Sequence, residues 1–150
     1  MRISVQDTPF DLGSQTARFT QAQSNMGAIV TFTGVVRDAP DHTLKAMEIE
    51  HYPGMTEKAL DAMARQAMDR FMLGDVLIIH RHGRLAPGEV IMMVATAAKH
   101  RKDAFDGAEF LMDYLKSRAP FWKREVTQDG ADWVAARDAD EDALDRWSKV

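Results

Sequence analysis

Interleaved strand and helix patterns along this 150-residue chain predict an α+β fold. Two observations carry that expectation. Segments rich in Val, Ile, Thr and Phe alternate with amphipathic stretches, in the order β-α-β-β-α-β-β-α-β. The strands expected at 76–82 and 90–97 are joined by the run Gly83 to Gly88, which calls for an antiparallel hairpin.

In order, Ile3 to Val5 is a short strand and Ser14 to Gln23 a modest helix. Gly27 to Val36 reads as a strand, followed by the polar loop Asp38-Ala-Pro-Asp-His42. Between Leu44 and His51, Met47 and Ile49 alternate with Glu48 and Glu50, the period of a half-buried strand. Tyr52-Pro-Gly-Met55 then turns into a helix over about 57–70. Thr56 is its expected N-cap, with Met55 and Leu60 as a hydrophobic staple. Leu60, Met63, Ala64, Ala67 and Phe71 share its apolar stripe, and Gly74 stops it. A third helix is expected over about 102–117, with Phe105, Ala108, Met112 and Leu115 inward. Pro120 ends it, because proline lacks the N–H and clashes with the preceding turn. Trp122 to Thr127 is a strand and Gln128-Asp-Gly130 a turn. The acidic segment Asp138 to Trp147 is helix-compatible and reads as a solvated face.

With 45% hydrophobic residues, the expectation is one domain over 1–150 with a real core. No apolar run approaches the ~20 residues of a membrane span, and the first residues lack the apolar core of a secretory signal. A cytoplasmic setting is expected. Zero cysteines exclude disulfides, thiolate metal sites and a persulfide on this chain, so any sulfur must come from a partner. Net charge is −4, yet Lys99 to Arg124 holds seven Lys/Arg against four Asp/Glu. A basic island on an acidic protein suits a small anion better than a nucleic-acid track.

Within that island, Lys116 and Lys123 flank the hinge Ala119-Pro-Phe-Trp122, which can fold one amine back toward the other. Crowded cations depress one another's proton affinity, making a usable base or nucleophile near neutral pH. Alternatively, Lys116 simply complements the end of its helix dipole. Lys99-His-Arg-Lys102 opens a helix, where cations oppose the dipole but where backbone amides and side chains can converge on a phosphate. Arg37 follows a strand and can grip an oxyanion bidentately. Phe32 by itself reads as core. His80 and His82 share a strand face at a spacing a metal could use, but no third ligand lies nearby and no metal is expected. The competing reading is a non-catalytic module that docks an anion or a protein on the 99–124 island.

Five segments run in the order and spacing of one known family. They are Val30-Thr-Phe-Thr-Gly-Val-Val-Arg37, Glu50-His-Tyr-Pro-Gly-Met-Thr-Glu-Lys-Ala-Leu60, Ile79-His-Arg-His-Gly-Arg-Leu-Ala-Pro-Gly-Glu89, His100-Arg101, and Met112 through Glu125. Together they resemble the large, catalytic subunit of molybdopterin synthase; the first 25 residues and the loop 38–43 depart from its pattern. The resemblance implies an α/β-hammerhead with mostly antiparallel sheet and an added small β subdomain. It implies a sulfurtransferase of molybdenum cofactor biosynthesis that converts cyclic pyranopterin monophosphate (precursor Z) to molybdopterin. Two sulfurs would arrive as a thiocarboxylate on the C-terminal Gly-Gly of a small ubiquitin-like subunit. The implied assembly is a heterotetramer around a homodimer of this chain. Lys116 and Lys123 would be catalytic, Lys116 in an acid/base or a transient covalent role. Arg37, His100 and Arg101 would bind the pterin phosphate, with Arg137 from the neighbouring protomer. Phe32 and Met112 would line the channel for the partner's tail.

Overall fold

The computed structural model describes residues 1–135 and 138–148. In chain order the elements are β1 (Arg2–Gln6), α1 (Leu12–Gln21), β2 (Ala28–Val35), β3 (Ala46–His51) and α2 (Met55–Phe71). They continue with β4 (Asp75–Arg81), β5 (Gly83–Leu85), β6 (Val90–Ala98), α3 (Arg101–Ser117), β7 (Phe121–Thr127), β8 (Gly130–Trp133) and α4 (Asp138–Asp145), then a 3-10 turn at Arg146–Ser148. The strands form two four-stranded sheets, β1-β4-β6-β2 and β5-β3-β7-β8. Only the β1–β4 pair is parallel. The α+β expectation therefore holds, including the small second sheet.

Period-two alternation in β4 explains how the first sheet is covered on both faces. Val76 and Ile78 pack with Leu60, Ala64 and Ala67 of α2 and with Ala104, Phe110 and Leu111 of α3. Leu77 and Ile79 face the other way, against Phe19 of α1. A buried bond from Thr96 Oγ1 to the Ala104 carbonyl (2.7 Å) pins α3 to β6. Gly107 lets α3 approach closely, since a Cβ there would stand 2.7 Å from Leu73.

Several local expectations are corrected. Gly54, not Thr56, caps α2: it has φ 83°, and its N–H donates to the Glu57 carboxylate at 2.6 Å. Starting two residues early turns Met55 outward, 60% exposed, so no staple forms. Thr56 is instead fully buried, its hydroxyl 3.0 Å from the Tyr52 carbonyl and 3.3 Å from that of Pro120. Phe105 is exposed, because Ala104, Gly107, Ala108, Phe110 and Leu111 form the face of α3 that meets the core. The run after His82 is not all turn, since β5 pairs with β3 in the second sheet. The acidic tail is not merely solvated: Leu144 is buried, and Trp147 packs edge-on against Phe71 and Phe110.

Candidate active site

The hinge between the two lysines is short and fully bonded. At the end of α3 the N–H groups of Arg118 and Ala119 both donate to the Tyr114 carbonyl, at 2.7 and 3.1 Å. Phe121 N–H donates to the Ala119 carbonyl at 2.8 Å, and β7 then pairs with β3, Ile49 opposite Lys123. Lys116 in the last turn of α3 is thereby brought to the same place as Lys123 on β7.

Two cavities meet there. One is a cleft of about 420 Å³ whose lining includes Lys116, Lys123, Phe121, Trp122, Trp133 and Asp140. The other is a channel of about 80 Å³ between Phe32, Gly34, Met92 and Met112. Both are lined by His80, Leu115, Lys116 and Lys123, so the two amines stand at the junction. The channel runs beside an irregularity in the β2–β6 ladder, where the register shifts between Gly34 and Val35. A Cβ at Gly34 would meet Met92 at 3.1 Å, so glycine keeps this passage open.

Ion pairing sorts the basic island. Lys102 is held by Asp106 (2.6 Å), Arg118 by Glu141 (2.8 Å), and Arg124 by Glu48. Among the described residues no carboxylate lies within 4 Å of Lys116, Lys123 or Arg37. Burial, then the charge of Lys116, pushes the Lys123 amine down to about 8, with Asp140 opposing. Crowded cations predict a depressed amine; it is found at Lys123, with burial the larger cause and the charge of Lys116 the smaller.

From sequence, His80 reads only as half of a metal pair. Its ring stacks on Phe121 (centroids 3.7 Å apart, planes 16°), while His82 packs on His51 instead. Among the described residues no three His, Cys, Asp or Glu side chains gather as a metal site. The signal for His80 was a lone imidazole closing the apolar run Val76-Leu-Ile-Ile79. Trp133 and Asp140 gave no such signal, because contacts between remote segments have no local pattern.

The other expected residues divide. Phe32 and Met112 line the channel beside Lys116. Arg37 is exposed two residues beyond Val35, another channel residue. His100 and Arg101 are exposed at the opposite end of α3. Fifteen helical steps separate Arg101 from Lys116, about 22 Å at 1.5 Å per residue. One protomer therefore does not gather His100 and Arg101 with the lysines, contrary to expectation. Arg137 lies outside the described residues.

The MoaE protein family model matches residues 5–118, three quarters of the chain. The chain belongs to the MoaE family. The molybdopterin synthase catalytic subunit of Cereibacter sphaeroides is 64% identical over 147 residues, spanning 98% of this chain and 100% of that one. Among solved structures, the molybdopterin biosynthesis MoaE protein of Burkholderia ambifaria is 51% identical with a TM-score of 0.84, covering 99% of this chain and 98% of its own. Molybdopterin synthase of Staphylococcus aureus is 28% identical with a TM-score of 0.81, over 90% and 98%. The resemblance read from the five segments is borne out, and this MoaE chain is an enzyme, a transferase of the molybdopterin synthase family. Among the described residues no helix is long and apolar enough to cross a membrane.

Proposed function

We propose that the chain transfers sulfur to cyclic pyranopterin monophosphate, giving molybdopterin, at the junction of the two cavities. The observation that carries this reading is the pair of carboxylate-free lysines where a wide cleft meets a narrow channel. The cleft, with its aromatic walls, suits a flat heterocycle; the channel suits a tail ending in Gly-Gly, which has no side chains to exclude. With no cysteine on the chain, the thiocarboxylate of a small ubiquitin-like subunit supplies the sulfur. Its sulfur bonds to a pterin side-chain carbon as the C–O bond there breaks, the oxygen staying with the opened cyclic phosphate in one transfer and leaving as water in the other; water then adds to the acyl carbon, the acyl C–S bond breaks, and the tail leaves as a carboxylate. A second loaded subunit repeats the step. Lys116 shuttles protons or steadies the oxyanion formed at the acyl carbon. Lys123, titrating at about 8, gives up or takes a proton near neutral pH. Phe32 and Met112 guide the tail, and Arg37 holds the phosphate.

His100 and Arg101 join the same phosphate only from a second copy of the chain, as Arg137 would. This makes the homodimer part of the site. The test is complementation. Lys116→Ala and Arg101→Ala should each be inactive or nearly so as homodimers when precursor is below saturation. Mixed dimers should regain activity, because one of their two sites then carries neither change. Mixed dimers as inactive as their parents would remove Arg101 from the shared site. If Lys116→Ala turned over normally while precursor or acidic protein still bound, the non-catalytic module would be the better account.

A further inference from the structure

The inward stripe of α2 begins with a polar residue. Thr56 heads Leu60, Ala64 and Ala67, and like them it is fully buried. A buried hydroxyl is costly unless it is bonded, so its partners matter. It accepts the Tyr52 N–H at 3.0 Å. Two carbonyls lie within reach of its single proton, that of Tyr52 at 3.0 Å and that of Pro120 at 3.3 Å. The Tyr52 carbonyl already accepts the Thr56 N–H at 2.9 Å, whereas the Pro120 carbonyl has no other donor among the described residues. Given to Pro120, the proton leaves neither carbonyl unsatisfied.

This relay stands at the end of a ladder. The β3–β7 pairing stops at His51 opposite Phe121. One step further Tyr52 would face Pro120, which has no N–H to return. The Thr56 hydroxyl spans that gap as a side-chain rung, from the Tyr52 N–H through Oγ1 to the Pro120 carbonyl. Among the described residues it is the only bond from another element to the backbone of 118–120; the N–H groups of Arg118 and Ala119 turn back onto α3. Pro120 lies four residues after Lys116 and three before Lys123. Phe121 beside it forms the stack with His80 in the cleft.

We infer that Thr56 is a positioning residue of this site: its hydroxyl rung ties the Pro120 turn to the end of β3 and so keeps both lysines at the junction of the cavities. Thr56 lines neither cavity, so it acts only through the turn. The consequence for catalysis rests on the sulfur-transfer reading; the rung itself does not.

Two substitutions separate the rung from packing. Thr56→Val keeps the branched shape and removes the hydroxyl; Thr56→Ser keeps the hydroxyl and removes only a methyl. Amide exchange reports on the rung. The Tyr52 N–H should be protected in wild type and in Thr56→Ser, and should exchange at least about tenfold faster in Thr56→Val. NMR titration of the Lys123 amine reports on placement. A turn freed from β3 lets that amine into water and away from Lys116, so in Thr56→Val it should titrate about half a pH unit or more nearer its ordinary value, with Thr56→Ser near wild type. Single-turnover sulfur transfer at saturating precursor should fall about fivefold or more in Thr56→Val and stay within about twofold in Thr56→Ser. A purely structural threonine would lower the denaturation midpoint yet leave the Lys123 titration and the turnover of folded enzyme at wild-type values. That result, a Tyr52 amide that exchanges freely in wild type, or equal losses in the two variants would overturn the inference. Should Thr56→Val not fold, Thr56→Ala takes its place under the same criteria. If the wild type makes no sulfurated pterin, the functional reading fails, while amide exchange and the Lys123 titration still decide the positioning.

Discussion

Lys123 holds an ammonium in a mostly buried place where, among the described residues, no carboxylate lies within 4 Å and Asp140 across the cleft offsets only part of the burial, so the fold bears the cost. Its folded value of about 8 lies below the ordinary 10.5. The unfolded chain therefore binds more protons between those values, and stability rises with pH across that window. Below pH 8 the penalty is complete. Lys123→Met should thus raise unfolding stability at pH 7 by about 1–3 kcal/mol, the gain fading as pH climbs toward 10.5. Denaturant titrations at pH 7 and pH 10 check both sign and trend; a destabilised or pH-independent variant contradicts it. A second residue-scale expectation concerns Gly34, where the nearest obstacles to a side chain are Cγ and Sδ of Met92, at 3.1 and 3.2 Å, on a side chain that can change rotamer. Gly34→Ile should fold, fill the channel, and weaken capture of a Gly-Gly-ended tail at least about tenfold while pterin binding in the wider cleft persists. Equal affinity for the tail would move its route elsewhere. At this scale the lysine pair was legible, because proline between two cations is a local pattern. His80 was half legible, as a polar residue closing an apolar run. Its partner Phe121 lies 41 positions away, which no spacing rule reaches.

At the scale of elements, the site is placed by how closely α3 lies on the sheet. Small residues at Ala104, Gly107 and Ala108 permit that approach, and the Thr96 bond to Ala104 fixes its register. Gly107→Ala forces a Cβ into Leu73. It should destabilise the chain by about 1–3 kcal/mol through overpacking, outweighing alanine's better helix propensity. An unchanged denaturation midpoint would show that α3 can slide without cost. Periodicity located α2 and α3 to within two residues but misjudged which side chains turn inward. Phe105 looked like core because it is large and apolar, whereas the buried stripe runs through Ala104, Gly107, Ala108, Phe110 and Leu111 and leaves position 105 on the opposite side of the helix. Thr56 looked like a cap because it precedes a helical pattern. In the fold it sits by the Pro120 carbonyl, tying α2 to the lysine hinge. The hairpin expected from β4 and β6 formed, yet β5 between them joined the other sheet. Turn residues mark where a chain bends, not which sheet the next three residues enter.

For the whole molecule, charge is arranged rather than merely present. The carboxylates of Asp106, Glu141 and Glu48 occupy Lys102, Arg118 and Arg124, while among the described residues the cleft lysines have no carboxylate within 4 Å, on a chain of net charge −4. Composition showed the basic island, but only tertiary contacts show which of its members are spoken for. The sequence also placed His100 and Arg101 beside the lysines, since linear order carries no distance; a straight α3 holds them apart. In the proposed function, a second protomer brings those residues to a common substrate, which the mixed-dimer complementation tests. The most direct measurement is the mass of the pterin after mixing precursor, thiocarboxylated small subunit and this chain. Wild type should yield a product carrying two sulfurs, with two tails returned as carboxylates, and Lys116→Ala should leave precursor unconverted though dimerisation and tail binding survive. Doubly sulfurated product at the wild-type rate from Lys116→Ala would contradict the placement of chemistry at the junction of the two cavities.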